Sequence, residues 1–292
     1  MLAANFGCEA GILFISGYDA NLGLFSALPQ RGDTIITDEL IHASIIDGAR
    51  LSYANRYIFK HNDLASLEEK LNHAKGNCYV AIESVYSMDG DTPPIAEILK
   101  LTEKYNAALI VDEAHAVGPY DLGLVDETMR GRVFARIITF GKALGCHGAA
   151  VLGSQLLKEY LVNFARSFVY TTAPSFHQLA SIKMAVELLA GSTAEIEKLK
   201  SNIDLFKHNL NVAAALMLTD SSSAIQCVVL KNNEKAKQLA TGLQQAGLDV
   251  RAILSPTVPA GSERIRICLH SFNTAYEIYL LTNFINDFIN AR

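Results

Sequence analysis

The sequence contains no cluster of lysine and arginine and no apolar run long enough to span a membrane. Its formal net charge is -5 and its pI is near 5.9. Clustered basic side chains carry most of a protein's affinity for nucleic acid, so these values argue against a nucleic-acid-binding protein. The longest apolar stretches are interrupted by charge or glycine well short of the about 20 residues that a membrane helix needs. We therefore predict a protein that binds neither nucleic acid nor membrane.

Paired cysteine motifs are also missing. The cysteines have no CxxC or CxxH spacing and are odd in number, which argues against both a disulfide framework and a zinc site. The five cysteines are Cys8, Cys78, Cys146, Cys227 and Cys268. The start of the chain has no basic region followed by an apolar core, so no signal peptide is predicted. These features predict a cytoplasmic protein without a bound metal.

Short β-branched runs alternate with helical patterns in the first part of the chain, which predicts an α/β fold. The strand candidates are Thr34–Thr37, Cys78–Glu83, Ala108–Asp112 and Arg136–Thr139. The second and third are apolar enough to be buried on both faces. We expect residues 1–192 to form a large domain with a mostly parallel sheet and helices on both faces.

The pattern changes after Gly191. A helix rich in leucine and lysine is predicted over about residues 193–217, and an α+β segment follows it. Strands are predicted at Ile225–Leu230, Leu248–Ile253 and Arg264–Cys268, with helices at about 232–246 and 273–290. Residues 193–292 are thus predicted to form a linking helix and a small C-terminal α+β domain.

Two predicted strands end in residues that could carry chemistry. Asp112 ends one strand and is followed closely by His115, at the edge of the sheet where ligands of open parallel sheets gather. An aspartate there can pair with a protonated heteroaromatic nitrogen such as that of pyridoxal phosphate. The alternative is that Asp112 only caps the following turn.

Lys142 follows the next predicted strand, among glycines and other small residues. A lysine that is partly enclosed there can have a lowered pKa and form a Schiff base with an aldehyde. Thr139 offers a hydroxyl group to a phosphate, and the neighbouring glycines allow close approach of the backbone. The alternative is an ordinary lysine in a surface loop.

Four segments together give the sequence a specific resemblance to the α-oxoamine synthases, which are aspartate-aminotransferase-like pyridoxal-phosphate enzymes. The segments are Ser87–Asp91, Asp112–His115, Thr139–Gly145 and Pro256–Gly261. Members of this family join an amino acid to an acyl thioester with loss of carbon dioxide. The resemblance covers essentially the whole chain and implies the aspartate-aminotransferase-like fold together with pyridoxal 5'-phosphate as cofactor.

The resemblance implies a role for each matching residue. Lys142 would bind the cofactor covalently and transfer protons, Asp112 would keep the pyridine nitrogen protonated, and His115 would contact the ring's phenolic oxygen. His42 would stack on the cofactor and contact the substrate, although on pattern alone it would more often be a surface or core histidine. Further cofactor contacts would come from Gly17, Tyr18, Ser87, Thr139, Thr171 and Thr172.

Substrate contacts are implied at Thr257 and Arg266, of which Arg266 would bind the amino-acid carboxylate. Arg264 competes for that role, because alternation along a strand places both arginines on one face. Thr171 and Thr172 match a segment that reaches the phosphate of the neighbouring subunit in relatives. The resemblance therefore implies a homodimer with shared active sites.

Within the family, Pro256–Gly261 and Ser222–Gln226 look most like the biotin-pathway member, which condenses L-alanine with a pimeloyl thioester of coenzyme A or a carrier protein. Glycine C-acetyltransferase is the nearest alternative, followed by 5-aminolevulinate synthase and serine palmitoyltransferase. A non-catalytic dimer partner is a hypothesis of a different class. The sequence departs from the family pattern at Leu269–Asn273, and it lacks the N-terminal segment that relatives carry before the position of Met1.

Overall fold

The computed structural model describes residues 1–291. Contacts within the chain divide it into two compact units. The first comprises Met1–Tyr86 and Thr92–Gly191, and the second comprises Ser87–Asp91 and the chain from Ser192 onward. No helix within the described residues is long and apolar enough to cross a membrane.

Within residues 1–291, the first unit contains a seven-stranded mixed sheet that is mostly parallel. Its strands are β1 (Ala10–Phe14), β2 (Thr34–Asp38), β3 (Asn55–Phe59), β4 (Cys78–Glu83), β5 (Ala108–Asp112), β6 (Ala135–Thr139) and β7 (Ala149–Gly153). Their spatial order is β1, β7, β6, β5, β4, β2, β3. Strands β2 to β6 pair in parallel, whereas β7 is antiparallel to both β6 and β1. The predicted fold class is confirmed.

Helices surround this sheet. They are α1 (Leu2–Asn5), α2 (Gly17–Ala27), α3 (Ala43–Leu51), α4 (Leu64–Asn72), α5 (Ile95–Lys104), α6 (Gln155–Phe164), α7 (Arg166–Val169) and α8 (Phe176–Leu189). Successive residues of a strand point to opposite faces, and Ile35 and Ile36 accordingly belong to different apolar clusters. Both faces of the central strands are therefore buried, as their unbroken apolar runs predicted.

The second unit has a three-stranded antiparallel sheet among its described residues, in the order β8, β10, β9. Its elements are α9 (Thr193–Asn209), α10 (Val212–Ala215), β8 (Ile225–Val229), α11 (Asn233–Gln245), β9 (Arg251–Ile253), β10 (Arg264–Cys268) and α12 (Ala275–Asn290). The predicted helix over residues 193–217 is wrong in its length. It ends at Asn209 because Leu210 adopts an extended conformation, and the Asn211 side chain then caps the separate short helix α10.

Candidate active site

A cavity of about 250 Å³ lies at the carboxyl edge of the parallel strands in the first unit. Three neighbouring strands each contribute their last residue, namely Glu83, Asp112 and Thr139. Register explains this convergence, because Glu83 lies beside Asp112 in the paired strands β4 and β5. The other lining residues are Ile15, Ser16, Gly17, Tyr18, Asn21, His42, Ser44, Ala114, Gly141, Lys142, His147 and Gly148.

Lys142 and His115 lie side by side near the end of β6. The Lys142 Nζ atom is 2.8 Å from the His115 Nε2 atom. A tight loop presents the lysine: the Gly145 N–H donates to the Lys142 carbonyl, and Gly145 has a φ of +62°. The Lys142 side chain is exposed rather than partly enclosed as the sequence suggested.

The Asp112 carboxylate is buried, with only 5% of the residue exposed. Its Oδ1 atom accepts a hydrogen bond from the Ala114 N–H at 3.0 Å, and its Oδ2 atom accepts one from Asn21 Nδ2 at 2.8 Å. Within residues 1–291 no lysine, arginine or histidine forms an ion pair with it. A buried carboxylate without a cation is costly, so this site favours a ligand that brings a positive charge.

His42 caps the N-terminus of α3, where its Nδ1 atom accepts a hydrogen bond from the Ser44 N–H at 3.2 Å. The Ser44 hydroxyl lies 2.7 Å from the same nitrogen. Burial lowers the pKa of His42 most, the Asp112 carboxylate opposes this change, and the Lys142 ammonium lowers the pKa further. The imidazole of His42 is therefore neutral at pH 7.

The N-terminus of α2 forms another wall of the cavity. Ser16 caps this helix by accepting a hydrogen bond from the Asp19 N–H. A Cβ atom at Gly17 would come within 2.7 Å of the Thr139 side chain, so glycine permits the close packing of helix and strand. The backbone N–H groups at the start of a helix attract anions, and the Thr139 hydroxyl adds a further donor. Tyr18 also lines the cavity, and its hydroxyl donates to Asp47 Oδ2 at 2.7 Å.

The remaining predicted site residues do not line this cavity within the described chain. Thr171 and Thr172 are exposed in the segment between α7 and α8. Ser87, Thr257 and Arg266 belong to the second unit.

Arg266 and Arg264 have different surroundings in the second unit. Arg266 Nε donates to the Ser87 carbonyl at 2.8 Å, and Arg266 also lines a cavity of about 490 Å³. Arg264 is buried and forms an ion pair with Asp89. Arg264 is therefore committed to holding the Ser87–Asp91 segment, which leaves Arg266 as the better candidate for a substrate carboxylate.

Five polar lining residues had no predicted role: Ser16, Asn21, Ser44, Glu83 and His147. The sequence contained a pattern that could have pointed to two of them, Asn21 and Glu83. Asn21 lies one helical turn after Gly17 and so shares its face of α2. Glu83 ends a predicted strand in the same way as Asp112. The sequence gives no reason to pair Ser44 with Asn21, because only the packing of α2 against α3 brings them together.

Known proteins provide an independent comparison. A family model for aminotransferase class I and II matches residues 2–278. An 8-amino-7-oxononanoate synthase from Emericella nidulans is 42% identical over 301 residues, an alignment that covers 95% of this chain and 73% of that protein.

Two solved structures are similar. A serine palmitoyltransferase from S. paucimobilis, solved with a bound PLP-myriocin aldimine, has a TM-score of 0.92 at 28% identity. The match covers 99% of this chain and 75% of the palmitoyltransferase chain. An 8-amino-7-oxononanoate synthase from Francisella tularensis has a TM-score of 0.84 at 28% identity, and the match covers 99% of this chain and 85% of that synthase. The chain belongs to the aminotransferase class I and II family and, within it, to the α-oxoamine synthases. Its cofactor is accordingly pyridoxal phosphate.

The residues present fit this cofactor. The buried Asp112 carboxylate has no cation among residues 1–291, and a protonated pyridine nitrogen would supply one. The Lys142 amine can react with an aldehyde. The N-terminus of α2 and the Thr139 hydroxyl can bind a phosphate. An acid, an amine and an anion site around one small cavity match the three functional ends of pyridoxal phosphate.

Proposed function

We propose that this protein condenses L-alanine with a pimeloyl thioester, with loss of carbon dioxide, to give 8-amino-7-oxononanoate for biotin biosynthesis. The observation that carries this proposal is that Lys142 and Asp112 line one cavity at the carboxyl edge of the sheet, with His115 Nε2 2.8 Å from Lys142 Nζ. The substrate assignment is supported by the 42% identity to the Emericella nidulans synthase. We also place the protein in the cytoplasm and assign residues 1–192 and 193–292 to a large and a small domain.

Each residue would have a distinct task. The bound cofactor supplies an electron sink for the charge left on the amino-acid Cα atom. Asp112 would keep the proton on the ring nitrogen, and Lys142 Nζ would hold the cofactor and move the proton at Cα. His115 would donate to the phenolic oxygen, and His42 would cover the ring.

Other residues would bind and orient. Gly17, Tyr18, Ser87 and Thr139 would contact the cofactor, with the phosphate at the N-terminus of α2. Arg266 is suited to the amino-acid carboxylate because its planar guanidinium can donate two parallel hydrogen bonds. Thr257 would contact the substrate.

We further propose a homodimer in which Thr171 and Thr172 serve the neighbouring subunit's site. Both are exposed in the single chain, and neither lines its cavity, within the part of the chain that the structure describes. This placement agrees with a contribution to another subunit.

The first test is an absorption titration of the purified chain with pyridoxal phosphate. We expect a visible band in the wild type that Lys142→Ala abolishes and that the control Lys100→Ala leaves intact, since Lys100 is an exposed lysine on α5. Adding L-alanine, glycine or L-serine then separates the family members. We expect L-alanine alone to shift the band, and mass spectrometry to detect 8-amino-7-oxononanoate once pimeloyl-coenzyme A is added.

Other outcomes would change the assignment. A shift with glycine alone would favour glycine C-acetyltransferase or 5-aminolevulinate synthase, and a shift with L-serine alone would favour serine palmitoyltransferase. The absence of any band that depends on Lys142 would support a non-catalytic partner and contradict the proposal.

A further inference from the structure

Three hydrogen bonds join Asp112 to His42 through Asn21 and Ser44. Asn21 Nδ2 lies 2.8 Å from Asp112 Oδ2 and 3.0 Å from Ser44 Oγ. Ser44 Oγ lies 2.7 Å from His42 Nδ1. The four residues come from α2, β5 and the start of α3, and all of them line the cavity.

The chemistry of the groups sets the direction of each bond. An ionised carboxylate only accepts, so the Asn21 amide must turn its NH₂ group toward Asp112. Its second N–H then donates to Ser44 Oγ, which leaves the Ser44 hydroxyl proton for His42 Nδ1. The Ser44 backbone N–H, which can only donate, also lies 3.2 Å from that nitrogen. His42 Nδ1 is therefore an acceptor, and the proton of the neutral ring lies on Nε2.

Asn21 is costly for the stability of the fold. It is 2% exposed, and its Oδ1 atom has no hydrogen-bond partner among residues 1–291. A buried acceptor without a donor destabilises a protein, whereas an apolar side chain of similar size would avoid this cost. The two N–H donors of the amide, rather than its packing, explain why an asparagine occupies this position.

We propose that Asn21 is a positioning residue that directs a hydrogen-bond relay from Asp112 to His42. Through this relay it donates to the Asp112 carboxylate and keeps His42 Nδ1 an acceptor, with the proton of the ring on Nε2. The inference rests on the proposed function only for the tasks given to Asp112 and His42. The relay itself is a property of the chain without cofactor.

The test replaces Asn21 with an isosteric group that reverses the relay. In Asn21→Asp the new carboxyl group must share a proton with the Asp112 carboxylate beside it, which leaves an acceptor oxygen toward Ser44. The Ser44 hydroxyl must then donate to that oxygen and turn its lone pair toward His42. We expect His42 Nδ1 to change from unprotonated to protonated, because its 2.7 Å contact with the Ser44 hydroxyl is shorter than its 3.2 Å contact with the Ser44 backbone N–H. Long-range ¹H–¹⁵N spectra of the cofactor-free chain labelled with [¹⁵N]histidine report this state directly, and His42→Gln assigns the signal among the eight histidines.

A double variant separates a relay from a simple effect of added charge. In Asn21→Asp with Ser44→Ala the hydroxyl link is gone, and the Ser44 backbone N–H remains the donor to His42 Nδ1. We expect this nitrogen to return to its unprotonated state. If it stays protonated, the new carboxylate acts through space and the relay is refuted.

Asn202 provides a matched control in the second unit. It is 1% exposed, its Nδ2 atom donates to the His270 and Asn273 carbonyls, and its Oδ1 atom has no partner within residues 1–291. Asn202→Asp should leave the His42 signal unchanged. Circular dichroism verifies that each variant is folded.

Asn21→Leu carries the test should Asn21→Asp not fold. It removes both donors, and we expect the single His42 tautomer to become a mixture. An unchanged His42 signal in the folded Asn21 variants overturns the proposal.

Cofactor affinity is the second readout. Asn21→Leu removes one donor from Asp112, and we expect pyridoxal phosphate to bind about 10- to 100-fold more weakly, or ~1.4 to 2.7 kcal/mol. Asn202→Leu should stay close to wild type. If the wild type binds the cofactor through Lys142 but His42 does not respond, this inference alone fails. If His42 responds but the wild type does not bind the cofactor, the proposed function alone fails.

Discussion

The buried ion pair between Glu113 and Arg136 should dominate the response of the first unit to a single charge removal. The exposed fractions of the two side chains are 0% and 3%, respectively. The two side chains also form hydrogen bonds with backbone groups that lie outside the strands and helices. Arg136 donates to the Phe6 and Leu122 carbonyls, and Glu113 Oε1 accepts from the N–H groups of Leu124 and Val125.

Glu113→Gln keeps the size of the side chain but leaves the Arg136 charge buried without a counter-ion. Breaking a buried pair in this way costs about 3–5 kcal/mol. For a unit of this size the cost corresponds to a fall of roughly 6–20 °C in the melting temperature. We expect this loss in calorimetry and in urea denaturation.

Glu103→Gln is the control, because Glu103 and Arg132 form two parallel hydrogen bonds in the same unit but are 43% and 42% exposed. Solvent screens that pair, so its loss should cost at most about 1 kcal/mol. Both variants change a glutamate that is paired with an arginine into glutamine, so the two pairs differ mainly in how deeply they are buried. Equal losses in the two variants would refute the argument that burial sets the cost.

Three further predictions concern other parts of the chain. Thr274→Ala should destabilise the second unit by about 1 kcal/mol in urea denaturation, because it removes the capping box of α12; an unchanged midpoint would contradict this. Burial raises the pKa of Cys78 to about 11 and that of Cys227 to about 12, so a thiol reagent at pH 8 should label exposed Cys268 first and these two only on unfolding. Because the pKa of His42 in the fold is lowered below its unfolded value of about 6.5, acidification from pH 7 should favour the unfolded chain, and His42→Gln should flatten that decline in urea midpoints.

The sequence predicted the central strands of the first sheet best. The bounds of β4 and β5 match their apolar runs, because strands buried on both faces need continuous hydrophobic residues. It missed β1, β3 and β7, and the last two of these have a different character. Strand β3 is an edge strand with exposed Asn55 and Arg56, and β7 is composed largely of alanine and glycine. Alanine and glycine are weak strand formers, and the polar start of β3 shortens its apolar run, so pairing within the sheet makes both of them strands.

The same division applies to the candidate site. Asp112 and Thr139 could be predicted to converge because parallel strands deliver their carboxyl ends to one edge of a sheet. The relay through Asn21 could not, since Asn21 and Asp112 are 91 positions apart and no local pattern links them. The topology of the sheet fixes where strand ends lie, and the alternation of strands and helices in the sequence predicts that topology. The partner of a strand-end carboxylate is placed by how a helix packs over the sheet, and here that packing brings the amide of α2 to Asp112. Residues that orient a site are therefore harder to predict than residues that line a strand end.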